Sequence, residues 1–375
     1  MRILVAHSRY ASGNVSGENR VVEDEVRLLS EAGHDVVSWT PSGADVHPVR
    51  AAARATWARD ASRRLRQLTR AHRADVVHIH NLFPMISPAS IRAVSTEAPV
   101  VLTLHNYRLL CLPATLFRDG RICEDCVGRS LARGVIHGCY RKSRLASGAL
   151  AASLELHRRI DSFKGVRRFL AVSEFVRAKH RAAGLAADIR VKPNFAWARD
   201  RRRGAGSHYV FAGRLTPEKG LDVIVDAWKN VRETLIVAGD GEQADALRRL
   251  APPNVRFVGP CTSAEVDALL RDARALLVPS RCYEGAPRSI IEAFATGVPV
   301  VAPSLGSLAE IVDDGINGVS IARSSAATWM GAIDQLRDDH VVARLGAGAW
   351  ETWSSRYSPA ANLAALEATY RDIAA

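Results

Sequence analysis

Short apolar runs separated by stretches of helical periodicity recur along most of the chain. Six of these runs lie in the first half, near residues 2–6, 35–39, 75–79, 99–103, 167–172 and 189–192. Six more follow near residues 208–212, 233–238, 254–258, 274–278, 298–302 and 317–321. Short runs rich in Val, Ile and Leu are typical of strands buried on both faces of a parallel sheet. The pattern therefore predicts an α/β fold in which helices cross over between parallel strands.

The alternation is interrupted after Pro193. The stretch FAWARDRRRGAGS, residues 195–207, is rich in charge, Gly and Ser and has no apolar period, which is typical of a linker. We therefore predict two Rossmann-like domains, 1–195 and 196–357, facing each other across a cleft. A last helix over 358–375 is expected to cross back onto the first domain. Ligands of such folds bind outside the carboxyl ends of the strands, so we expect the functional site there.

Composition and charge narrow the class of protein. The chain has 375 residues, 47% of them hydrophobic, which is enough for two cores. It contains no apolar run near the ~20 residues of a membrane-spanning helix, so we expect a cytoplasmic protein. The formal net charge is +12, and arginines cluster at 63–73 and 199–203. This surface favours nucleotide phosphates, anionic lipid headgroups or nucleic acid as partners, or is simply solvated.

The stretch RCYEGAPRSIIEAFATGVPVVAP, residues 281–303, predicts an anion site. A helix is expected from Arg288 to Thr296 with Pro287 at its first position, and the free N–H groups of a helix start attract negative charge. Glu284 lies in the loop before this helix. Glu292 lies just over one turn inside, where a carboxylate would repel phosphate but can accept hydrogen bonds from the vicinal diol of a ribose. The alternative is that both carboxylates are ordinary surface residues.

A second loop carries two cations that suit a diphosphate. In FAGRLTPEKGLDVIVDAW, residues 211–228, a strand is followed by Arg214 and Lys219 and then by a helix. The two side chains are five positions apart across a loop with Pro217 and Gly220, so both can reach one diphosphate. Positive groups placed there stabilise the charge that builds up on a departing diphosphate.

Taken in order, these motifs resemble a known family. The order is G-R-L-x-x-x-K-G, then V-A-G-D-G at 237–241, F-V-G at 257–259, E-G-x-P-x-x-x-x-E-A-x-x-x-G-x-P-V-V-A from Glu284, and Glu310 in LAEIV. It is similar to that of the retaining nucleotide-sugar glycosyltransferases of the two-Rossmann (GT-B) type, the family 4 group related to glycogen synthase. The resemblance covers nearly the whole chain.

The resemblance implies roles for residues of the second domain. Arg214 and Lys219 would hold the donor diphosphate, Glu292 would bind the donor ribose, and Glu284 would contact the transferred sugar. The backbone of Gly285, Ala286 and Pro287 would line the pocket for the sugar and phosphate. Val258 would lie beside the base.

The resemblance also implies roles in the first domain. The loop SGNVSGENR, residues 12–20, would approach the donor phosphate, with Gly17 as the expected contact, whereas a glycine pair is by itself equally common in plain turns. His105 resembles the family's histidine beside the transferred sugar. His80 and Asn81 follow the preceding strand, and two alternatives stay open for them: lining the acceptor side, or being satisfied inside the fold.

The chemistry implied by the resemblance is a front-face transfer with retention of configuration. No carboxylate stands out as the nucleophile that double displacement requires. The diphosphate would leave, the acceptor hydroxyl would attack from the same side, and a phosphate oxygen would take its proton, so the protein mainly stabilises charge and positions the reactants. The sequence contains no D-x-D tripeptide. We therefore expect donor binding without a catalytic metal or other cofactor.

Four of the six cysteines lie in a short insert, 108–140. Cys111, Cys123, Cys126 and Cys139 have spacings compatible with a tetrahedral zinc site, and His137 is an alternative ligand. Because disulfides are disfavoured in a reducing cytoplasm, a structural zinc is the first expectation, ahead of incidental thiols or an iron–sulfur or redox role.

The sequence therefore predicts an enzyme that moves a hexose-type sugar from a nucleoside diphosphate to a hydroxyl. The arginine-rich first domain favours a lipid-linked or other anionic acceptor at the inner membrane face, which suits cell-envelope or extracellular polysaccharide or glycolipid synthesis. A small-molecule acceptor, and a related phosphorylase or epimerase, remain alternatives. A zinc-braced nucleic-acid-binding protein is a remote alternative that leaves Glu284 and Glu292 unexplained, so no nucleic-acid partner is expected.

Overall fold

The computed structural model describes residues 1–9, 17–42, 54–185, 188–202 and 204–374. These residues form two compact units. The first comprises 1–116, 124–193 and 363–375, and the second comprises 117–123 and 194–362. In the described part of the chain, no helix is both long enough and apolar enough to span a bilayer.

The strands lie where the apolar runs predict them. In chain order they are β1 (Arg2–His7), β2 (Asp35–Trp39), β3 (Val76–Asn81), β4 (Val100–Leu104), β5 (Phe117–Arg118), β6 (Arg121–Ile122), β7 (Val166–Ala171), β8 (Ile189–Val191), β9 (His208–Ala212), β10 (Thr234–Ala238), β11 (Val255–Gly259), β12 (Ala273–Leu277), β13 (Val300–Pro303) and β14 (Gly318–Ile321). The small antiparallel hairpin of β5 and β6, inside the cysteine-rich insert, was not predicted.

Helices follow most strands. In chain order they are α1 (Gly17–Glu31), α2 (Arg59–His72), α3 (Ala89–Val94), α4 (Ala132–Ile136), α5 (Arg144–Arg159), α6 (Glu174–Ala182), α7 (Leu221–Trp228), α8 (Ala244–Leu250), α9 (Ser263–Arg271), α10 (Arg288–Thr296), α11 (Leu308–Ile311), α12 (Ala326–Gln335), α13 (Asp339–Thr352) and α14 (Pro359–Ala374). Single turns of other helical type occur at Ser162–Gly165, Pro217–Lys219 and Trp353–Tyr357.

Each unit contains one six-stranded parallel sheet. The first sheet has the order β2-β1-β3-β4-β7-β8, and the second has the order β11-β10-β9-β12-β13-β14. The second order is that of a Rossmann fold, in which the direction of strand addition reverses between the first and fourth strands. The prediction of an α/β protein with two Rossmann-like domains is confirmed. The reversal lies between β1 and β3 in the first sheet and between β9 and β12 in the second.

The last helix belongs to the core of the first unit. Leu366 and Tyr370 of α14 are fully buried in the cluster that also contains Ile3 of β1 and Leu29 of α1. The boundary between the two units falls inside this helix: residues up to Asn362 belong to the second unit, and residues from Leu363 onward belong to the first.

The segment predicted as a linker is held closely in the second unit. Phe195 and Ala196 are each 1% exposed, so the segment is buried where it enters the unit. Arg199 forms ion pairs with Asp267 and Glu292. Arg202 donates to the carbonyl oxygens of residues 205, 273 and 342. Arg199 and Arg202 therefore stabilise the second unit, whereas the sequence predicted either a solvated cluster or a cluster that binds an anionic partner. Arg203 lies outside the described residues.

Candidate functional site

The loops that follow β9 and β12 bring Lys219 and Glu284 together. The Lys219 ammonium donates to Glu284 Oε1 at 2.6 Å, and the Ser280 hydroxyl donates to the same oxygen at 2.5 Å. The loop after β9 lies close to the end of β12 because Gly220 has a φ of 68° and no side chain. A Cβ at this position would collide with the carbonyl oxygen of Pro279. The two residues therefore flank the point where strand order reverses, which is where such sheets bind ligands.

The environment of this pair keeps both groups charged at neutral pH. The side chains of Lys219 and Glu284 are 21% and 13% exposed. Burial by itself would raise the pKa of Glu284, but the charge and hydrogen bond of Lys219, together with the Ser280 hydroxyl, lower that pKa below its ordinary value. Burial would likewise lower the pKa of Lys219, but the Glu284 carboxylate raises it. The ammonium is thus available to an anionic ligand, although it is already paired.

Arg214 is the more accessible cation of the same loop. Its side chain is 55% exposed, and its guanidinium lies 3.0 Å from a carboxylate oxygen of Glu218. Its charge lowers the pKa of both Lys219 and Glu284, behind larger causes, so the three groups are close enough to interact. The structure therefore brings together Arg214 and Lys219, the two cations that are predicted from the sequence to bind one diphosphate.

The backbone before α10 is fixed from two sides. The Asn194 side chain donates to the carbonyl oxygen of Ala286 at 3.1 Å, and the Ser307 hydroxyl donates to that of Glu284 at 2.8 Å. Pro287 occupies the N-cap of α10 with φ −62° and ψ 120°, one position before the predicted one. Its ψ is extended, so regular helix begins at Arg288; boundaries commonly differ by a residue.

Glu292 lies in a buried environment formed by two arginines. It is 9% exposed, and its Oε1 accepts hydrogen bonds from Arg288 at 2.9 and 3.2 Å. Arg199 lies 3.3 Å from the same oxygen. Within the described residues, no recorded contact uses Oε2. The sequence carries no local signal for the contact with Arg199, which is 93 residues away from Glu292, whereas Arg288, one helical turn before Glu292, carries a recognisable i,i+4 signal.

Val258 and Glu310 occupy loop-edge positions of the second unit. Val258 lies near the carboxyl end of the edge strand β11 and is 50% exposed. Glu310 is part of the single turn α11 that follows β13. Both positions are at the same edge of the sheet as Lys219 and Glu284, because all strands of the sheet are parallel.

The first sheet carries a chain of histidines at its carboxyl edge. His105 follows β4, and its Nε2 lies 3.0 Å from Nδ1 of His80 at the end of β3, with the rings stacked. His78 is hydrogen-bonded to Thr103 and Tyr370 and is completely satisfied inside the fold. Burial lowers the pKa of all three histidines well below its ordinary value, so they are neutral at neutral pH. Asn81 is buried and hydrogen-bonded to Ser8 and Phe83, which favours the interior alternative for it. His80 is also buried, but only its Nδ1 has a hydrogen-bond partner among the described residues.

The start of α1 is tied to neighbouring strand ends. Gly17 is its first residue and is exposed, but residues 12–16 of the predicted phosphate loop lie outside the described part of the chain. Oδ1 of Asn19 accepts a hydrogen bond of 2.7 Å from Nε2 of His7 in β1. Glu18 accepts a hydrogen bond from Asn106, the residue after His105.

Two of the four insert cysteines, Cys126 and Cys139, lie beside Gly134. Backbone N–H groups of residues 114–116 point toward the sulfur of Cys111, although burial raises the pKa of that thiol to about 11. The sulfur of Cys126 lies 3.6 Å from the position a Cβ of Gly134 would take, and the N–H of Cys139 donates to the Gly134 carbonyl. Cys282, by contrast, is buried beside Glu284, and burial raises its pKa, so it is a packed thiol.

One compact group of potential metal ligands occurs in the described residues, and it lies elsewhere. Donor atoms of Glu25, His78 and His80 all lie within 4.8 Å of one another. The insert cysteines do not form a group this tight among the described residues.

Comparisons with known proteins agree with this geometry. The family described as Glycosyltransferase Family 4 matches residues 15–196, and the family described as Glycosyl transferases group 1 matches residues 206–339. Glycogen synthase of Mycobacterium tuberculosis (strain ATCC 25618 / H37Rv) is 30% identical over 388 residues, which cover 92% of this chain and 88% of that protein. A D-inositol 3-phosphate glycosyltransferase of Frankia alni is 34% identical over 164 residues, 38% of this chain and 40% of that protein.

Solved structures show the same fold. The sucrose-phosphate synthase of Thermosynechococcus elongatus superposes with a TM-score of 0.75 at 15% identity, covering 99% of each chain. The Anabaena protein Alr3699/HepE, solved with UDP and glucose, superposes with a TM-score of 0.64 at 18% identity, covering 98% of this chain and 99% of that one. At these identities the likeness concerns the fold alone.

We expect Lys219→Met to destabilise the protein in a pH-dependent manner. The change leaves the Glu284 carboxylate mostly buried without its ammonium, which costs about 1–3 kcal/mol in the free energy of unfolding at pH 7. Because the folded pKa of Glu284 lies below 4.5, the pair stabilises the fold above that pH, and its contribution is lost as the pH falls through the folded pKa. The difference from wild type, followed by denaturant titration, should therefore shrink in acid.

Lys229→Met is the matched control, because Lys229 pairs with Asp226 at the surface with both side chains more than half exposed. It should change stability by less than about 0.5 kcal/mol. An equal loss in both variants, or a loss for Lys219→Met that does not depend on pH, would contradict the account of the pair.

Proposed function

The chain belongs to the family 4 glycosyltransferases, in the group that includes glycogen synthase, and we propose that it transfers a hexose-type sugar from a nucleoside diphosphate to a hydroxyl with retention of configuration. Its GT-B fold supplies two Rossmann-like domains. The observation that carries the proposal is the convergence of Arg214, Lys219 and Glu284 at the strand reversal of the second sheet.

The proposed donor site uses the cations of this cluster for the diphosphate. Lys219 has three N–H donors and uses one for Glu284, so two remain for phosphate oxygens. Arg214 lies at the surface of the same loop and offers a planar set of donors. The backbone of Gly285, Ala286 and Pro287 precedes the nine-residue helix α10, whose start adds further N–H groups.

The two glutamates divide the rest of the donor between them. Glu284 is directed to the transferred sugar and stays ionised because of Lys219. Glu292 is directed to the ribose: both arginines contact its Oε1, which leaves Oε2 to accept a hydrogen bond from a hydroxyl. Val258 offers an exposed apolar surface for the base. Gly17, at the start of α1, is the proposed contact of the first domain with the donor phosphate.

The proposed chemistry relies on positioning and charge. Lys219 and Arg214 stabilise the negative charge on the leaving diphosphate without a catalytic metal. His105 contacts the transferred sugar and, being neutral, adds no positive charge beside an oxocarbenium-like centre. The diphosphate then accepts the proton of the acceptor hydroxyl as the new bond forms on the same face. UDP and glucose bound to the HepE protein support a nucleotide-sugar donor of this class.

The proposed acceptor is anionic or lipid-linked, in cell-envelope or extracellular glycan synthesis. The support is the exposed arginines of the first unit, of which Arg63 and Arg64 lie on α2. Two arginines of the same helix, Arg66 and Arg70, instead share the carboxylate of Glu97. The protein therefore offers an anionic membrane fewer unpaired arginines on this helix than the sequence suggested, and peripheral contact at the inner membrane face is proposed from Arg63 and Arg64 alone.

We also propose that the insert binds a structural zinc through Cys111, Cys123, Cys126 and Cys139. The support is the placement of Cys126 and Cys139 beside Gly134 and the backbone N–H groups that face the Cys111 sulfur, as in zinc sites with thiolate ligands. When bound, the ion would brace the loop after His105. It takes no part in sugar transfer.

Lys219→Ala should lower kcat by about 100- to 1,000-fold, because one preplaced cation at the departing diphosphate is lost. Turnover is measured by release of nucleoside diphosphate over a panel of nucleotide sugars, and the anomeric configuration of the product is read by proton NMR. We expect retention. Lys229→Ala, a surface lysine on the same unit, should keep the wild-type rate.

Wild-type turnover in Lys219→Ala would remove the diphosphate role of Lys219. An inverted product would remove the front-face mechanism, and wild-type protein that neither binds nor turns over any nucleotide sugar would contradict the proposed function.

Purified protein should contain about one zinc ion per chain by elemental analysis. Cys126→Ser should lose the ion and lower the thermal unfolding midpoint, since zinc binding contributes to folding. Cys261→Ser, outside the insert, should retain it. Zinc-free protein whose folding resists chelators would dispose of the zinc proposal.

A further inference from the structure

A buried ion pair lies directly behind the histidine chain of the first sheet. The Lys192 ammonium, just after β8, donates to Oε1 of Glu25 in the middle of α1, and both side chains are 1% exposed. Positions around Glu25 on the same face of α1, such as Val21, Val22 and Leu28, are buried and apolar. Burying two charges costs several kcal/mol before their attraction is counted, and apolar replacement of such pairs is often neutral or stabilising. A pair placed here is therefore a candidate for a role other than stability.

The second oxygen of Glu25 faces the histidines. Oε2 lies 3.6 Å from Nε2 of His80. Both atoms are buried, and neither has a hydrogen-bond partner in the described part of the chain. A small rotation of either side chain would join them. On its other side, Nδ1 of His80 lies 3.0 Å from Nε2 of His105. Four side chains thus form a continuous series: Lys192, Glu25, His80 and His105.

From this series we infer that Lys192, Glu25 and His80 are positioning residues that hold His105 in one tautomer, with its proton on Nε2 and its Nδ1 lone pair free to accept a hydrogen bond from a sugar hydroxyl. The inference rests on the proposed function, in which His105 contacts the transferred sugar.

The carboxylate decides the direction of the hydrogen bonds. A lone pair on Nε2 of His80 would face the negative Glu25 oxygen, so the proton of His80 lies on Nε2. Nδ1 of His80 must then accept, which requires Nε2 of His105 to donate. A neutral imidazole carries only one N–H proton. In His105 this proton is on Nε2, so its Nδ1 carries a lone pair. Burial, which lowers the pKa of both rings well below its ordinary value, keeps the series neutral beyond the ion pair.

The remaining atom of His105 is the one that a ligand can meet. Nδ1 has no recorded partner in the described residues, and His105 is partly exposed, unlike the buried His80. The neighbouring His78 does not disturb the series, because Thr103 and Tyr370 occupy both of its nitrogens. The protein thus presents a hydrogen-bond acceptor of fixed direction at the carboxyl edge of the first sheet.

A bound cation is the competing explanation for the cluster of Glu25, His78 and His80. The donor atoms lie within 4.8 Å of one another, which would suit a metal ion. However, the Lys192 ammonium already contacts the Glu25 carboxylate, and a cation beside it would be repelled. His78 also lacks a nitrogen that is not engaged in a hydrogen bond. The geometry therefore favours the hydrogen-bonded series.

The direct test reads the tautomer of His105 in the full-length protein. The chain has 12 histidines, so the protein is labelled with 15N-histidine and the His105 signals are assigned from their loss in His105→Gln. Long-range 1H–15N spectra distinguish a protonated Nε2 from a protonated Nδ1. We expect the wild type to show His105 protonated at Nε2. Protonation at Nδ1, or an equal mixture, in the wild type would overturn the inference regardless of enzymatic activity.

The variant test replaces the ion pair by apolar residues of similar size, Glu25→Leu with Lys192→Met, which avoids leaving one buried charge alone. In this variant we expect the Nδ1-protonated form of His105 to appear. The kcat should fall about 10- to 100-fold, as when an outer hydrogen-bond partner of a site residue is removed. KM for the donor should change by less than about threefold, because the proposed nucleotide contacts other than Gly17 lie in the second unit. Metal content should equal that of wild type.

Arg2→Met with Asp75→Asn is the matched control, since this ion pair of 2.8 Å lies at the amino edge of the same sheet. It should leave kcat and the His105 spectrum unchanged. An unchanged His105 tautomer in Glu25→Leu/Lys192→Met, or the loss of a metal ion there, would overturn the inference. If the wild type shows the expected tautomer but transfers no sugar, the proposed function fails while the hydrogen-bonded series stands.

Discussion

The parallel direction of the strands is the constraint on which the structure depends. In a parallel sheet every strand ends at the same edge, and at a reversal of strand order two neighbouring loops diverge and leave space for a ligand. In the second unit the loops after β9 and β12 meet this condition, and they carry Lys219 and Glu284. In the first unit the ends of β3 and β4 place His80 against His105. The chemistry of each unit therefore follows from its sheet order and a few residues in short loops.

Each unit contains a lysine paired with a glutamate, either among the atoms proposed to meet the ligand or directly behind them. Lys219 and Glu284 are partly accessible, and their mutual attraction keeps an ammonium and a carboxylate charged in a mostly buried site. Lys192 and Glu25 are fully buried, and their pair orients neutral histidines. The first pair keeps charge available for a polar ligand, whereas the second fixes where a proton lies. Neither pair requires a metal ion for these effects.

Local patterns in the sequence predicted the strands and the loop motifs well, because apolar runs and glycine or proline signals involve neighbouring positions. The pairing of Lys192 with Glu25 was not predictable, since 167 residues separate them and neither carries a local signal beyond an acidic residue on an apolar helix face. The sequence predicts a linker at Arg199, yet this residue contacts Glu292 within the second unit. Only the folded chain shows which of the many arginines are committed to internal carboxylates.

The central claim is that the second unit holds a nucleoside diphosphate at its strand reversal. Crystals of the full chain soaked separately with UDP and GDP would test it most directly. The account predicts diphosphate oxygens within hydrogen-bond distance, about 2.7–3.2 Å, of the Lys219 ammonium and the Arg214 guanidinium, with a ribose hydroxyl at Glu292. A nucleotide bound with its diphosphate away from both cations would contradict the claim.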